Sequence, residues 1–208
     1  AGPIEISTGR LSVLDGASIF TSTNGAGQGG DFTIRAEDVV LAGQGFGPSG
    51  LFARTEGSGD SGRLTLITTN NLAIQDGARL TVSTDDDANP DDNLGTVRDA
   101  TITARSITLN NGQITAESLS RDGGNLTFNV QDAILLRNNA LISATGGTAS
   151  AGGNGGNVTI NTPNGFVIAV PNENSDIIAN AFSGSGGNIN ITTQNIIGQD
   201  AARATAGN

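Results

Sequence analysis

Apolar and polar residues alternate in a short phrase that recurs down the chain. It is clearest at Gly124-Asn125-Leu126-Thr127-Phe128, Gly156-Asn157-Val158-Thr159-Ile160 and Gly187-Asn188-Ile189-Asn190-Ile191. Earlier copies are Gly30-Asp31-Phe32-Thr33-Ile34 and Gly62-Arg63-Leu64-Thr65-Leu66, with Asp99-Ala100-Thr101-Ile102 degenerate and Ile4-Glu5-Ile6 shortened. Alternation at period two puts the aliphatic residues on one face of a strand and Thr or Asn on the other. The first apolar residue of each copy falls at 4, 32, 64, 100, 126, 158 and 189, giving steps of 28, 32, 36, 26, 32 and 31. Steps of this size are the repeat lengths of solenoids.

A second short apolar run follows in each unit, as in Leu11-Ser12-Val13, Val39-Val40-Leu41, Leu72-Ala73-Ile74, Ile107-Thr108-Leu109 and Ile134-Leu135-Leu136. A polar corner comes next, at Asp15-Gly16, Asp76-Gly77, Asn111-Gly112 and Asn138-Asn139. These residue types tolerate positive φ, which a sharp corner requires. A third strand is expected at Ser18-Ile19, Arg79–Val82, Gln113–Ala116, Leu141–Ala144 and Ile177–Ala179. Glycine gathers in the connections, including Gly43–Gly50 and Gly146–Gly156, whose lengths vary while the strands do not. The pattern predicts an all-β, right-handed parallel β-helix of six to seven three-strand coils over residues 1–200, with a polar tail at 201–208. Stacking at ~4.8 Å makes it a rod of about 30 Å. Side chains of the Asp/Asn-Gly corners are expected to ladder along the axis, and both ends are expected to expose strand edges and apolar core.

Composition narrows the chemistry. The chain has no Cys, His, Met, Trp or Tyr, and all ten basic residues are Arg. That excludes disulfides, thiolate zinc sites and Cys- or His-dependent nucleophilic catalysis. A net charge of -10 disfavours nucleic acid and anionic membranes as partners. No stretch approaches the ~20 apolar residues of a membrane span. The lack of Met even at position 1 reads as a mature or excised fragment. Aromatic residues are seven Phe only, so the core must be thin and aliphatic.

The run from Gly152 through Gly156-Asn157-Val158-Thr159-Ile160-Asn161-Thr162-Pro163-Asn164-Gly165-Phe166 to Phe182 resembles the filamentous haemagglutinin-like exoproteins of cyanobacteria. So do Gly186–Gln194, Leu72–Ala78 and Gly25–Gly30, and the resemblance extends over about residues 4–198. It implies a two-partner-secreted, β-helical adhesin, secreted or displayed on the outer cell surface after passing an outer-membrane transporter. The Asn-Pro-Asn-Leu and Asn-Pro-Asn-Gly-Ile phrases of that family's secretion domain are absent, and Thr162-Pro163-Asn164-Gly165-Phe166 only echoes them. The chain thus resembles repeat shaft rather than secretion module. Expected partners are cell-surface glycans or proteins, or further copies stacked end to end, with loops 43–50, 84–97 and 144–155 carrying specificity.

Other readings compete. The acidic loop, with Asp85, Asp86, Asp87, Asp91 and Asp92, could supply oxygens to Ca²⁺, but it lacks the Gly and Glu of an EF-hand, and a solvated loop is the favoured reading. Gly152-Gly153-Asn154-Gly155-Gly156-Asn157 has Asn where a calcium nonapeptide needs Asp and occurs once, so no calcium roll is expected. A polysaccharide lyase or hydrolase would need paired carboxylates or Ca²⁺ beside Arg. The available groups, Glu5, Arg63, Arg79, Asp99 and Glu117, fall on different coils, and no enzyme activity is expected. Ice or mineral binding would use the outward column Thr33, Thr65, Thr101, Thr127 and Thr159, but β-propensity alone also favours Thr there. Phe32 and Phe128 are expected in the core, Phe20 and Phe46 at the surface.

Overall fold

The computed structural model describes residues 1–43, 45–84, 95–119, 121–148 and 152–198. Fourteen strands are described: β1 (Ile4–Leu14), β2 (Ser18–Thr23), β3 (Phe32–Ala42), β4 (Gly50–Thr55), β5 (Leu64–Thr68), β6 (Asn71–Gln75), β7 (Arg79–Thr84), β8 (Ala100–Asn110), β9 (Gln113–Ser118), β10 (Leu126–Arg137), β11 (Leu141–Ser143), β12 (Val158–Ala169), β13 (Asp176–Ile178) and β14 (Ile189–Ile197). All pair in parallel. They wind into a right-handed β-solenoid of about six turns.

The register follows the sequence phrase at every step. Ile4 pairs with Phe32, Phe32 with Leu64, Leu64 with Ala100, Ala100 with Leu126, Leu126 with Val158, and Val158 with Ile189. Steps of 26 to 36 residues therefore change the connections and not the stack. A slip by one residue would turn every aliphatic side chain outward, so burial of one face holds the register.

The coil differs from three separate strands in one respect. The first and second apolar segments form one continuous strand that bends around a corner in β1, β3, β8, β10, β12 and β14, and only β5 and β6 are separated. Backbone pairing continues through the bend, with register shifts at Asn129/Ala133, Val130/Ala133 and Thr162/Phe166. One sheet thus covers two faces, in the order β1-β3-β5-β8-β10-β12-β14 with β6 beside β3 and β8. A six-stranded sheet, β13-β11-β9-β7-β4-β2, covers the third. The corner between them is made where Asp76 (φ 56°) precedes Gly77 (φ 81°), and at Asp15, Asn111 and Asn138 in equivalent turns.

Strand β4 lies where the sequence pattern shows only a glycine-rich connection running to Gly50. It turns Phe52 outward and buries Leu51 and Ala53 completely.

The interior is a stack of columns. Phe32, Leu64, Ala100, Leu126 and Val158 succeed one another in one column, and Ile34, Leu66, Ile102, Phe128 and Ile160 in the next, all fully buried. The small Ala100 sits beside the large Leu64 and Leu126, which evens the packed volume along the axis. Each buried Leu, Ile or Phe contributes roughly 1.5–3 kcal/mol relative to exposure. At the last strand, Ile189, Ile196 and Ile197 are exposed.

Candidate functional site

The outer face of the six-stranded sheet carries a groove of about 570 Å³. Outward positions on its strands fall into columns fixed by register. Phe20 lies beside Phe52, Phe52 beside Thr81, and Thr81 beside Thr115. Two residues along, Ser22, Arg54, Ser83 and Glu117 form a parallel column. Two residues the other way, Gly50 is followed by Arg79 and Gln113. Gly47 and Pro48 close one side, and Glu56 and Leu119 the other.

Gly50 shapes this surface. A Cβ there would stand only 3.0 Å from Cζ of Phe52 and would also strike the Arg79 carbonyl oxygen. The Phe52 ring therefore leans along its strand over Gly50 instead of standing off the sheet, and Gly50 is buried beneath it. Phe20, one tier away, is 59% exposed. Two aromatic rings thus lie at one end of a groove whose floor continues as hydroxyls, with Thr115 donating to Thr81 Oγ1 at 3.1 Å.

A second organised feature lies at the corner that leads into the large sheet. Asn125 donates its backbone N–H (3.0 Å) and side-chain amide (2.9 Å) to Asp99 Oδ1. Asn157 repeats this onto Asn125 Oδ1 at 2.9 and 3.0 Å, and Asn188 onto Asn157 Oδ1 at 2.9 and 3.3 Å. A shorter ladder runs from Asp122 through Asn154 to the Ser185 backbone. The run Gly152–Asn157 thus supplies rungs to both ladders. The glycine before each rung has a steric reason, because a Cβ on Gly156 would overlap the Gly124 carbonyl oxygen of the tier beside it, and one on Gly187 that of Gly156.

The corners expected to ladder contribute less. Asn138 donates its side-chain amide to Asn110 Oδ1 at 2.6 Å, while Asp76, Gly77 and Asn111 are tied to the next tier through backbone N–H groups. The sharp corner satisfies its own backbone, so the side chains there are not needed as rungs.

Ion pairs Arg137–Glu173, Arg98–Asp60 and Arg105–Asp132 join adjacent coils. Arg137 grips Glu173 with both Nε (2.6 Å) and Nη2 (2.7 Å), and Glu173 also accepts the Asn138 N–H. These bonds, the Arg137 guanidinium foremost, hold the Glu173 carboxyl below its ordinary range. Asp60 is likewise lowered, first by the Thr96 N–H, then by the Thr96 hydroxyl and Arg98, against partial burial. Arg105 pairs with Asp132 at 2.8 Å.

The structure separates the charged residues singled out from the sequence. Asp99 is the base of the long ladder, and the Arg63 N–H donates to Asp31. Glu5 lies on the opposite sheet, beside Thr33. Arg79 and Glu117 do face one groove, four strand positions apart by register. The Thr column is continuous from Thr33 to Thr159 and passes to Asn190, every Thr in it half-buried. Phe32 and Phe128 are fully buried, and Phe46 is exposed. Asp85, Asp86, Asp87, Asp91 and Asp92 lie outside the described residues, as does the 201–208 tail. Among the described residues no three acidic side chains converge as a metal site, and no helix is long and apolar enough to cross a membrane.

Sequence reasoning missed the groove because Phe52 and Arg54 lie on the unrecognised β4. The signal that could have found it is the alternation Leu51, Phe52, Ala53, Arg54 after a glycine. No family model, curated protein or solved structure matches the chain. The β-solenoid scaffold is compatible with structural, adhesive or carbohydrate-binding roles.

Proposed function

We propose that the chain is a shaft segment of a filamentous haemagglutinin-like adhesin, secreted or held at the outer cell surface, that spaces and presents contact surfaces. The observation that carries this reading is the unbroken register from Ile4 to Ile189 across connections of unequal length. A stack so indifferent to its loops suits a rigid spacer, since each tier contacts only its neighbours. The axial Asn ladders and the inter-coil ion pairs support the same role. Cell-surface glycans or proteins are the partners, and the full-length protein would reach the exterior through an outer-membrane transporter.

A carbohydrate-active enzyme is the second reading, favoured by Arg79, Glu56 and Glu117 around one groove. Glu117 pairs in register with Ser83 and Ser83 with Arg54, which places the backbones of Glu56 and Glu117 two tiers and two residues apart. That is about 12 Å between backbones, from which two Glu side chains can reach the roughly 5–9.5 Å that separates the carboxyl groups of glycosidases.

Beads coated with the protein should adhere to cells or glycan-coated surfaces, and antibodies should label intact source cells. Failure of adhesion, or protection from antibody until cells are broken, would overturn the adhesin reading. Release of reducing or unsaturated ends from acidic polysaccharides, with or without Ca²⁺, would establish the enzyme instead.

A further inference from the structure

We propose that the groove on the six-stranded sheet binds a neutral β-linked pyranose chain, stacked on Phe52 and Phe20 and hydrogen-bonded by the polar residues around them. This deepens the adhesin reading and rests on it for its biological sense, though not for its chemistry.

The ring of Phe52 is laid along the sheet by Gly50, whose buried position leaves no Cβ beneath it. An aromatic face carries the negative part of the ring quadrupole and attracts weakly positive C–H groups. Pyranoses whose hydroxyls are all equatorial present such C–H groups on both faces and turn their hydroxyls outward around the rim. A sugar seated on Phe52 would meet polar groups along its edges. Arg79 flanks Gly50 in the next tier, Arg54 lies two residues beyond Phe52, and Gln113 and Glu117 follow one tier further than Arg79 and Ser83. Four strands, β2, β4, β7 and β9, span about 14 Å of groove floor, room for more than one sugar ring.

Other occupants fit less well. Strands β4, β7 and β9 pair on both sides, so a peptide strand could add only at the outer edge of β2, where it would lengthen the stack rather than fill the groove. A helix needs a broadly apolar trough, and hydroxyls and charges occupy much of this surface. Polyanions face Glu56 and Glu117 on a chain of net charge -10. Two Arg against two Glu leave the groove formally neutral, which matches an uncharged glycan.

Titration calorimetry of the full chain with cellohexaose tests this, with hexagalacturonate as the acidic arm. Cellohexaose should bind and hexagalacturonate should bind more weakly. Phe52→Ala and Phe20→Ala should each weaken binding up to about tenfold, the loss of one stacking contact. Phe52→Leu keeps apolar bulk without a flat face and should lose nearly as much, which covers a poorly folded alanine variant. Thr159→Ala, on the other sheet, should bind as the parent does. Amide shifts on titration should centre on Gly50, Thr81 and Gln113. No binding to the parent chain, unchanged affinity in both Phe52 variants, tighter binding of hexagalacturonate, or shifts centred on β14 would each overturn the proposal. Bead adhesion separates the two readings. Adhesion by a parent chain that does not bind cellohexaose sinks the groove and keeps the adhesin, whereas cellohexaose binding without adhesion does the reverse.

Discussion

Replacing Asn125 with Ala should be far more costly than the same change at Asn188, although both occupy the same ladder position in their coils. Asn125→Ala removes three hydrogen bonds: its own amide to Asp99 Oδ1 at 2.9 Å, and the two that Asn157 donates to it at 2.9 and 3.0 Å. The backbone N–H of residue 125 keeps its bond to Asp99. Asn188→Ala removes only the amide bond to Asn157 at 3.3 Å. At a net ~0.5–1 kcal/mol per bond, the first change should cost about 1.5–3 kcal/mol and the second about 0.5 kcal/mol. Partial access of water to the Asn157 amide favours the lower end. Tryptophan and tyrosine are absent, so urea unfolding is best followed by far-ultraviolet circular dichroism, with amide exchange to locate the loss. A companion variant adds a pH signature. Asn125→Asp still accepts from Asn157 but faces the Asp99 carboxylate, and two like charges at this distance raise their shared pKa. Its destabilisation should be present at pH 7 and diminish as acid protonates the pair. Equal losses for the 125 and 188 alanine variants, or a pH-independent deficit in Asn125→Asp, would refute the ladder as a source of stability.

Phe128→Ala opens a cavity between Ile102 and Ile160 in a fully buried column and should cost about 3–5 kcal/mol in urea unfolding. Gly156→Ala places a Cβ against the Gly124 carbonyl and should cost roughly 1–3 kcal/mol, measured the same way. Asp60 and Glu173 have lowered folded pKa values, so their contribution is complete above the ordinary carboxylate range and is lost as pH falls through the folded values. Melting temperature should therefore drop below about pH 4, and an Asp60→Asn, Glu173→Gln double variant should show a shallower acid limb. An unchanged acid limb would show that other carboxylates dominate.

The register was legible because one face of the strands inside the stack, from β3 to β12, is buried. The positions of Phe32, Leu64, Ala100, Leu126 and Val158 could be aligned from alternation alone. The corner residues were legible too, since Asp15, Asp76, Asn111 and Asn138 all adopt the positive φ that their types allow. The merging of two segments into one bent strand was not, because backbone pairing across a corner leaves no mark on side-chain periodicity. The ladder was placed at the wrong corner for a related reason. Asn-Gly signals a turn whether or not its side chain reaches the next tier, whereas the Asn of Gly-Asn-Val-Thr looks like an ordinary strand entry. The groove depends on relations between coils, such as Phe20 beside Phe52, and the absent side chain of Gly50. Such neighbours are 32 residues apart, and only the stack brings them together.

The direction of the hydrogen bonds between tiers has a mechanical consequence. They run along the rod rather than across it, so tension between the two ends would fall on one tier interface at a time, as in peeling rather than shear. Each coil that detached, such as the 32-residue step from Leu126 to Val158, would release about 110 Å of chain. A rod built this way would yield in steps, lengthening under load while the coils still stacked kept their grip.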